Sequence, residues 1–233
     1  MLYPLFVVAS VCFVRESKWI LDRVTKALNS TSHANCPPSI TWGVSKVFRV
    51  ENKVLWQTYR GKCQHLLSKH QLMKTTINRY GRYPRREIIP EAELDHNMNE
   101  AYLFHGTKPE YVAAIAETGF DERIANPHGL YGAGIYFANQ ACKSIWYSRL
   151  DTYPKGVLIM ARVVLGCCYI AESGESYKEL RRAPFIPEST DSYDCLIAEP
   201  GVGNQGRQVH YEFVIYDKAQ TYPEYVIELE RNK

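Results

Sequence analysis

Paired cysteine motifs are missing from this sequence. It holds seven cysteines, an odd number, and no C-x-x-C occurs; Cys167 and Cys168 are adjacent and the others are scattered. That pattern excludes a disulfide-stapled scaffold and shows no Cys/His cluster for zinc. Reduced thiols in an intracellular protein, cytoplasmic or nuclear, and no bound metal are expected. Charge of one sign is scarce too. A formal net charge of +3 is too slight to argue nucleic-acid binding. The dense basic run at Lys74, Arg79, Arg82, Arg85 and Arg86 reads as a solvated loop. Leu2 to Val14 is mostly apolar but too short to span a bilayer. It has no basic lead, and Ser10-Val-Cys12, its only small-x-small candidate, falls inside the run. A core strand or helix, or the ragged beginning of a fragment, is expected there, with no membrane association.

The composition, 45% hydrophobic with plentiful aromatics, supports one good core in a chain of 233 residues. Glu16 to Leu28 carries Trp19, Ile20, Val24, Ala27 and Leu28 at helical spacing. Asn29 to Ser39 is polar with a double proline and reads as a linker, dividing residues 1–39 from a domain over 40–233. Trp42, Val44, Phe48 and Val50 share an alternating face broken by Lys46, which predicts a strand. Asn52 can cap a helix bearing Leu55, Tyr59, Cys63, Leu66 and Leu67 on one side. Thr107-x-x-Glu110 spells a capping box with Pro109 in the first turn, ahead of a helix ending at Gly119. A turn and strand over Tyr131 to Asn139, a helix over Gln140 to Leu150 and an apolar strand over Val157 to Leu165, broken by Arg162, follow. Further strands cover Cys195 to Ala198, Tyr211 to Tyr216 and Tyr225 to Leu229. Strands in succession without regularly alternating helices predict an α+β fold. Gly201-Val-Gly203-Asn-Gln-Gly206 spells G-x-G-x-x-G, but a dinucleotide fingerprint needs a helix opening there, and a strand pattern follows instead. A loop between strands is the better reading.

Four features fall together between Leu103 and Tyr147: His105-Gly106-Thr107 after an apolar triplet, a helix, a glycine-rich turn, and Gly134-Ile-Tyr136-Phe-Ala138 followed by Lys143-Ser144-x-x-Tyr147. In that order and spacing they resemble the NAD-binding core of the poly(ADP-ribose) polymerase catalytic domain, the H-Y-E class of ADP-ribosyltransferases, with wording most like the tankyrases. Phe48-Arg-Val-x-Asn-x-x-Leu-Trp-x-x-Tyr59 resembles the opening segment of such domains. The resemblance, from about Ser39 to Glu230, implies two mainly antiparallel sheets flanked by helices around an NAD cleft. NAD would be a substrate, proteins the acceptors. Too few residues precede the opening segment for the helical regulatory domain of the DNA-damage-activated members. Nor is the tankyrase zinc cluster visible, so no metal is carried over.

The chemistry fits these residue types. Nicotinamide leaves as a neutral amide, so the reaction needs a held carboxamide, a platform for a planar cation, and a carboxylate near the ribose where oxocarbenium character builds. Gly106 exposes backbone N–H and C=O groups at close range, and Ser144 can add a hydrogen bond. Tyr136 and Tyr147 can sandwich the ring through cation–π attraction. By the resemblance, His105 in His-Gly-Thr107 holds the adenosine ribose and Arg123 lies on the adenosine side. Taken singly, His105 reads as a structural histidine, Tyr136 and Tyr147 as core aromatics, Ser144 as an exposed helix serine and Thr107 as an N-cap; their order and spacing favour the functional reading.

The final member of the triad must be a glutamate on a late strand. Glu228 and Glu230 lie opposite Tyr225, Ile227 and Leu229, which reads as a solvated edge, and Glu224 shares their face. Glu212 has apolar residues on both faces and so needs a reason to be there. The family's motif also places its glutamate there, so Glu212 is the choice, to bind the nicotinamide-ribose 2′-hydroxyl and stabilise the developing cation. The expected activity is protein ADP-ribosyl transfer with short poly(ADP-ribose) formation. Single-unit transfer is the runner-up. A catalytically silent NAD- or partner-binding module of the same fold and a secreted mono-ADP-ribosylating toxin are the other readings.

Overall fold

The computed structural model describes residues 11–29, 42–72, 94–124, 126, 128–148, 155–203 and 209–231. The basic run at 74–86, residues 30–39 of the expected linker and most of the apolar start lie outside them. Long apolar strands near the C-terminus organise the larger sheet. β9 (Thr221–Arg231) lies between β2 (Trp42–Glu51) and β5 (Lys155–Val164), with β1 (Cys12–Arg15) beyond β2 and β3 (Glu100–Thr107) beyond β5. All four pairings are antiparallel. A smaller sheet runs β4 (Ile135–Phe137), β8 (Glu212–Ile215), β7 (Cys195–Ala198), β6 (Cys168–Ile170), antiparallel except between β6 and β7. Among the described residues, four α-helices join them: α1 (Lys18–Asn29), α2 (Lys53–Leu72), α3 (Val112–Thr118) and α4 (Ala141–Ile145). The class is α+β, as expected. Among the described residues, no helix is long and apolar enough to cross a membrane.

Side-chain alternation along β3 and β5 feeds two cores. Phe104, Leu158 and Met160 face one side of the large sheet, packed by Ile20, Val24, Ala27 and Leu28 of α1 and by Ala141 and Ile145 of α4. Leu103, Ile159, Ala161 and Val163 face the other, against Phe137, Ile197, Phe213 and Ile215 of the small sheet. Each buried Leu, Ile or Phe contributes about 1.5–3 kcal/mol, so this double layer fixes the sheets' mutual position.

Four details depart from expectation. Trp42 and Val44 do not share a face with Phe48 and Val50. The β2–β9 register shifts between Val44 and Lys46, and beyond it Val47 joins the α1 core while Phe48 and Val50 turn to a separate cluster with Val157 and Val226. One extra residue in a ladder reverses the faces of everything after it. Asn52 caps α2 as expected, its Oδ1 accepting from the Leu55 N–H at 3.1 Å, and its amide also donates to the Ala116 and Glu117 carbonyls at the end of α3. Leu67, however, is exposed; the buried stripe is Tyr59, Cys63 and Leu66. The Thr107–Glu110 capping box does not form, because Thr107 stays paired with Val157 in β3. A 3-10 turn over Pro109–Tyr111 begins after Lys108 with no side-chain cap. Gly119 does end α3, with φ +82° and its N–H on the Ile115 carbonyl.

The fourth concerns the late glutamates. β9 is flanked on both sides, so it offers no solvated edge. Glu230 is exposed and pairs with Lys155, and Glu228 pairs with Lys46 at 3.2 Å, but Glu224 is buried. Its carboxylate receives Arg162 Nε at 2.7 Å and the Tyr102 hydroxyl at 3.1 Å. Arg162 also reaches Glu100 at 3.4 Å, and Tyr59 on α2 donates to Glu100 at 2.6 Å. The charged residue that breaks the apolar strand β5 thus has carboxylates to meet, as a buried guanidinium requires.

Candidate active site

The two sheets meet at β3 and β4. Phe104 and Ala138 exchange both backbone hydrogen bonds, at 2.7 and 2.9 Å, in an isolated antiparallel bridge. Phe104 therefore points its N–H and C=O away from β5. Gly106, two residues on, points its own N–H and C=O the same way. Continued pairing would place Gly106 opposite Tyr136, yet among the described residues the bridge stands alone. The Tyr136 carbonyl instead takes the His105 Nδ1 at 2.9 Å. A histidine side chain thus ends the ladder, and among the described residues the Gly106 N–H and C=O make no backbone hydrogen bond on that side. A donor and an acceptor side by side on one strand match a primary carboxamide.

Glycine is required at position 106. A Cβ there would lie 2.8 Å from the Ser144 carbonyl carbon and 2.9 Å from Tyr147 Cβ, with the Ser144 carbonyl oxygen closer still. The end of α4 and the 3-10 turn Trp146–Ser148 thus rest on the Gly106 backbone, which brings Ser144 and Tyr147 to the same place. Ser144 is buried and its hydroxyl donates to the Phe104 carbonyl at 2.9 Å, so towards a ligand its oxygen serves as an acceptor until that bond swings open. Tyr147 is 58% exposed, and the Lys143 ammonium lies 5.9 Å from its ring centroid.

His105 packs edge-on against Phe120, with ring centroids 5.0 Å apart, and tilted against Phe137. Burial lowers the affinity of the imidazole for a second proton, outweighing the opposing pull of the Tyr136 carbonyl. The neutral ring then carries its proton on Nδ1, toward that carbonyl, and leaves Nε2 as an acceptor. Tyr136 is fixed at its hydroxyl, which donates to the Gly132 carbonyl and accepts from the Tyr131 N–H, each at 2.9 Å. Its ring, not its hydroxyl, is what the site can use. Gly132 makes that turn possible: its φ is +83°, and a Cβ there would collide with Leu180.

Glu212 shares a face of β8 with Val214, the residue opposite Tyr136 in β4. The carboxylate is largely buried, and its partner is Lys143, with Nζ 3.0 Å from Oε1. Burial would by itself lower the lysine's hold on its proton, but the Glu212 carboxylate and the Tyr147 phenol outweigh it and hold the ammonium charged. Burial pushes the Tyr136 phenol well up, reinforced by the negative charge of Glu212. Tyr136, Lys143, Tyr147 and Glu212 are therefore electrostatic neighbours, and His105 and Gly106 join them through the Tyr136 carbonyl and the Ser144–Tyr147 turn.

The structure leaves Arg123 apart. It is exposed and forks onto Asp121, with Nε–Oδ1 2.8 Å and Nη2–Oδ2 2.6 Å, and that pairing holds the Asp121 carboxyl at about 2. Thr107 is buried at the end of β3. Lys143 has no role in the chemistry read from the sequence motif. A lysine one residue before the candidate carboxamide ligand Ser144, in a chain needing a partner for a buried glutamate, was the available signal.

A family description, poly(ADP-ribose) polymerase catalytic domain, matches residues 21–231. Human protein mono-ADP-ribosyltransferase PARP12 is 30% identical over 186 residues, 79% of this chain and 22% of that protein. Mouse protein mono-ADP-ribosyltransferase PARP11 is 28% identical, over 79% of this chain and 52% of its own length. The human PARP14 enzyme of the same description is also 28% identical, with 8% of its length covered. The chain thus spans about a fifth of the length of the PARP12 relative. With nearly all the described elements inside the match, and the open Gly106 strand at its centre, the chain belongs to the poly(ADP-ribose) polymerase catalytic domain family.

Proposed function

We propose that this chain transfers ADP-ribose from NAD to protein acceptors with release of nicotinamide, and that it transfers single units. The observation that carries the transferase reading is the interrupted ladder at Gly106. Its free N–H and C=O suit the carboxamide, Tyr136 and Tyr147 supply ring faces for the pyridinium, and Glu212 supplies the charge that an oxocarbenium-like transition state needs. His105 Nε2 is an acceptor for a ribose hydroxyl. As the glycosidic bond lengthens, the nicotinamide ring loses its positive charge and the ribose gains it. The platform attraction then weakens while the Glu212 attraction grows, which is differential binding in favour of the transition state. Thr107 as a further NAD contact, and Arg123 as an adenosine-side contact reached after leaving Asp121, belong to the same proposal.

The sequence expectation of short polymers rested on the presence of Glu212. Two observations favour single-unit transfer instead. The relatives named above are mono-ADP-ribosyltransferases. Glu212 is also held by Lys143 on Oε1, which takes up one of the carboxylate's acceptor sites and part of its charge before an acceptor hydroxyl can use them. A weak nucleophile such as a ribose hydroxyl needs that orientation most. Incubation with labelled NAD tests both levels. Nicotinamide release with protein bands carrying one label each is expected. No release would make the chain a silent binding module, and ladders or smears under excess NAD would restore the polymerase reading.

A further inference from the structure

One pair of side chains beside the cleft has no part in the transfer just described. Cys142 Sγ lies 3.1 Å from His210 Nε2. Cys142 is on α4, immediately before the Lys143 that holds Glu212. His210 lies two residues before Glu212 itself. Both chain segments that position the carboxylate thus carry one half of a thiol–imidazole pair. The histidine is buried, whereas Cys142 is only half-buried and is the more open member of the pair. Of the other described cysteines, Cys63, Cys167, Cys168 and Cys195 are buried, and Cys12 is exposed on β1.

We propose that Cys142 is a thiol-modification site for small-molecule disulfides, activated by His210, whose adduct blocks the cleft. A thiol at hydrogen-bond distance from an imidazole can pass its proton to the ring, and the thiolate is the reactive form. The Cys142 sulfur attacks one sulfur of the disulfide and a new S–S bond forms. The old S–S bond breaks, and its departing sulfur keeps the electron pair and takes the proton from His210. Cys142 is oxidised and one reagent sulfur is reduced to a thiol, so no further reactant is needed. The adduct stands next to Lys143, on a helix whose other residues Ala141 and Ile145 are locked in the core. It cannot be relieved by turning the helix, so it pushes His210 aside and with it the segment that leads into Glu212.

The blocking half rests on the proposed transferase activity; the modification half does not. The test is incubation of the reduced protein with glutathione disulfide at neutral pH, with peptide mapping of the adducts over time. Cys142 is expected to be modified about tenfold faster than the more exposed Cys12, since a histidine-paired thiol has the larger thiolate fraction. His210→Gln should bring the two rates together. Nicotinamide release should fall in step with the Cys142 adduct, return with dithiothreitol, and be immune to the disulfide in Cys142→Ser. Equal rates at Cys142 and Cys12 in the unmutated protein overturn the proposal, whether or not His210→Gln folds. Full activity with Cys142 fully modified overturns the blocking half. A reduced protein that never releases nicotinamide overturns the transferase reading instead, and the labelling rates still decide the thiol site.

Discussion

Replacing Gly106 by alanine probes the site at its most crowded point. The added methyl carbon would lie 2.8 Å from the Ser144 carbonyl carbon and 2.9 Å from Tyr147 Cβ, against an ordinary carbon–carbon separation of about 3.5–4.0 Å. Both atoms belong to the turn that closes the pocket, so the turn must retreat by roughly 0.7 Å, and by more at the Ser144 oxygen. Ala141 and Ile145 anchor its base in the core, so the movement falls on Ser144 to Tyr147. Overpacking of this kind costs about 1–3 kcal/mol. In a chain of this size that is a fall in Tm of roughly 2–12 °C. Binding suffers separately. Two backbone hydrogen bonds to a carboxamide at about 0.5–1.5 kcal/mol each, both misaligned, give about 2 kcal/mol. That is roughly a thirtyfold loss of affinity. Calorimetric titration with benzamide, which keeps the ring and carboxamide of nicotinamide, measures it directly. A folded Gly106→Ala protein that binds benzamide as tightly as the parent would refute the placement of the carboxamide at this strand.

Other consequences follow from the same contacts. Glu212→Gln keeps the shape of the side chain and removes its charge, so NAD binding by titration should change only a few-fold while nicotinamide release falls by about a hundredfold or more; undiminished release would remove Glu212 from the reaction. Arg162→Met leaves Glu224 buried without its cation and Glu100 with Arg60 at 4.0 Å, and should cost about 3–5 kcal/mol in urea unfolding, an effect that shrinks sharply when Glu224→Leu is added. Asp194 accepts from His70 at 2.6 Å, Lys69 at 2.9 Å and the Cys167 N–H at 2.7 Å, and these bonds outweigh burial and hold its carboxyl below the ordinary range. A carboxylate depressed in the folded state stabilises fully above its unfolded value near pH 4, and that contribution fades as pH falls towards the folded value. Asp194→Asn should therefore be less stable than the parent at pH 7 in urea melts, with the difference narrowing below pH 4; a difference that widens in acid would contradict the geometry.

Local order put the centre of the proposed site within reach of a sequence reading. His105, Gly106, Tyr136, Ser144 and Tyr147 sit within a few dozen residues, and their spacing carries both the strand and the turn that seats it. Glu212 was readable for another reason, since a carboxylate with apolar neighbours on both faces demands a buried role. What escaped depended on partners distant in sequence. Glu224 resembled its solvent-facing neighbours because the guanidinium that buries it is 62 residues away on β5. The faces of β2 were misassigned because its bulge exists only against β9. The capping box failed because the β5 ladder holds Thr107 in the strand, outweighing a local preference worth about 1 kcal/mol.

The position of the cleft follows from how few bonds join the two sheets at β3 and β4. One bridge, Phe104 with Ala138, fixes their separation, and the shared core of Leu103, Phe137 and Phe213 holds it from below. Had the pairing run one step further, Gly106 and Tyr136 would have satisfied each other and the site would be ordinary sheet. Two residues prevent it. His105 takes the Tyr136 carbonyl, and glycine at 106 lets the α4 turn descend onto the strand where a side chain would have held it away. Unpaired strand groups at a protected edge are costly unless something bonds to them. On the proposed function that cost is the source of specificity, because a ligand recovers it only by offering a donor and an acceptor in one plane, as a carboxamide does and a carboxylate does not. Nicotinamide-shaped ligands should accordingly bind here far more tightly than nicotinate-shaped ones, although the two differ by one group. Benzamide and benzoate in parallel titrations give the measurement, and equal affinities would mean that the open strand is not what the ligand reads.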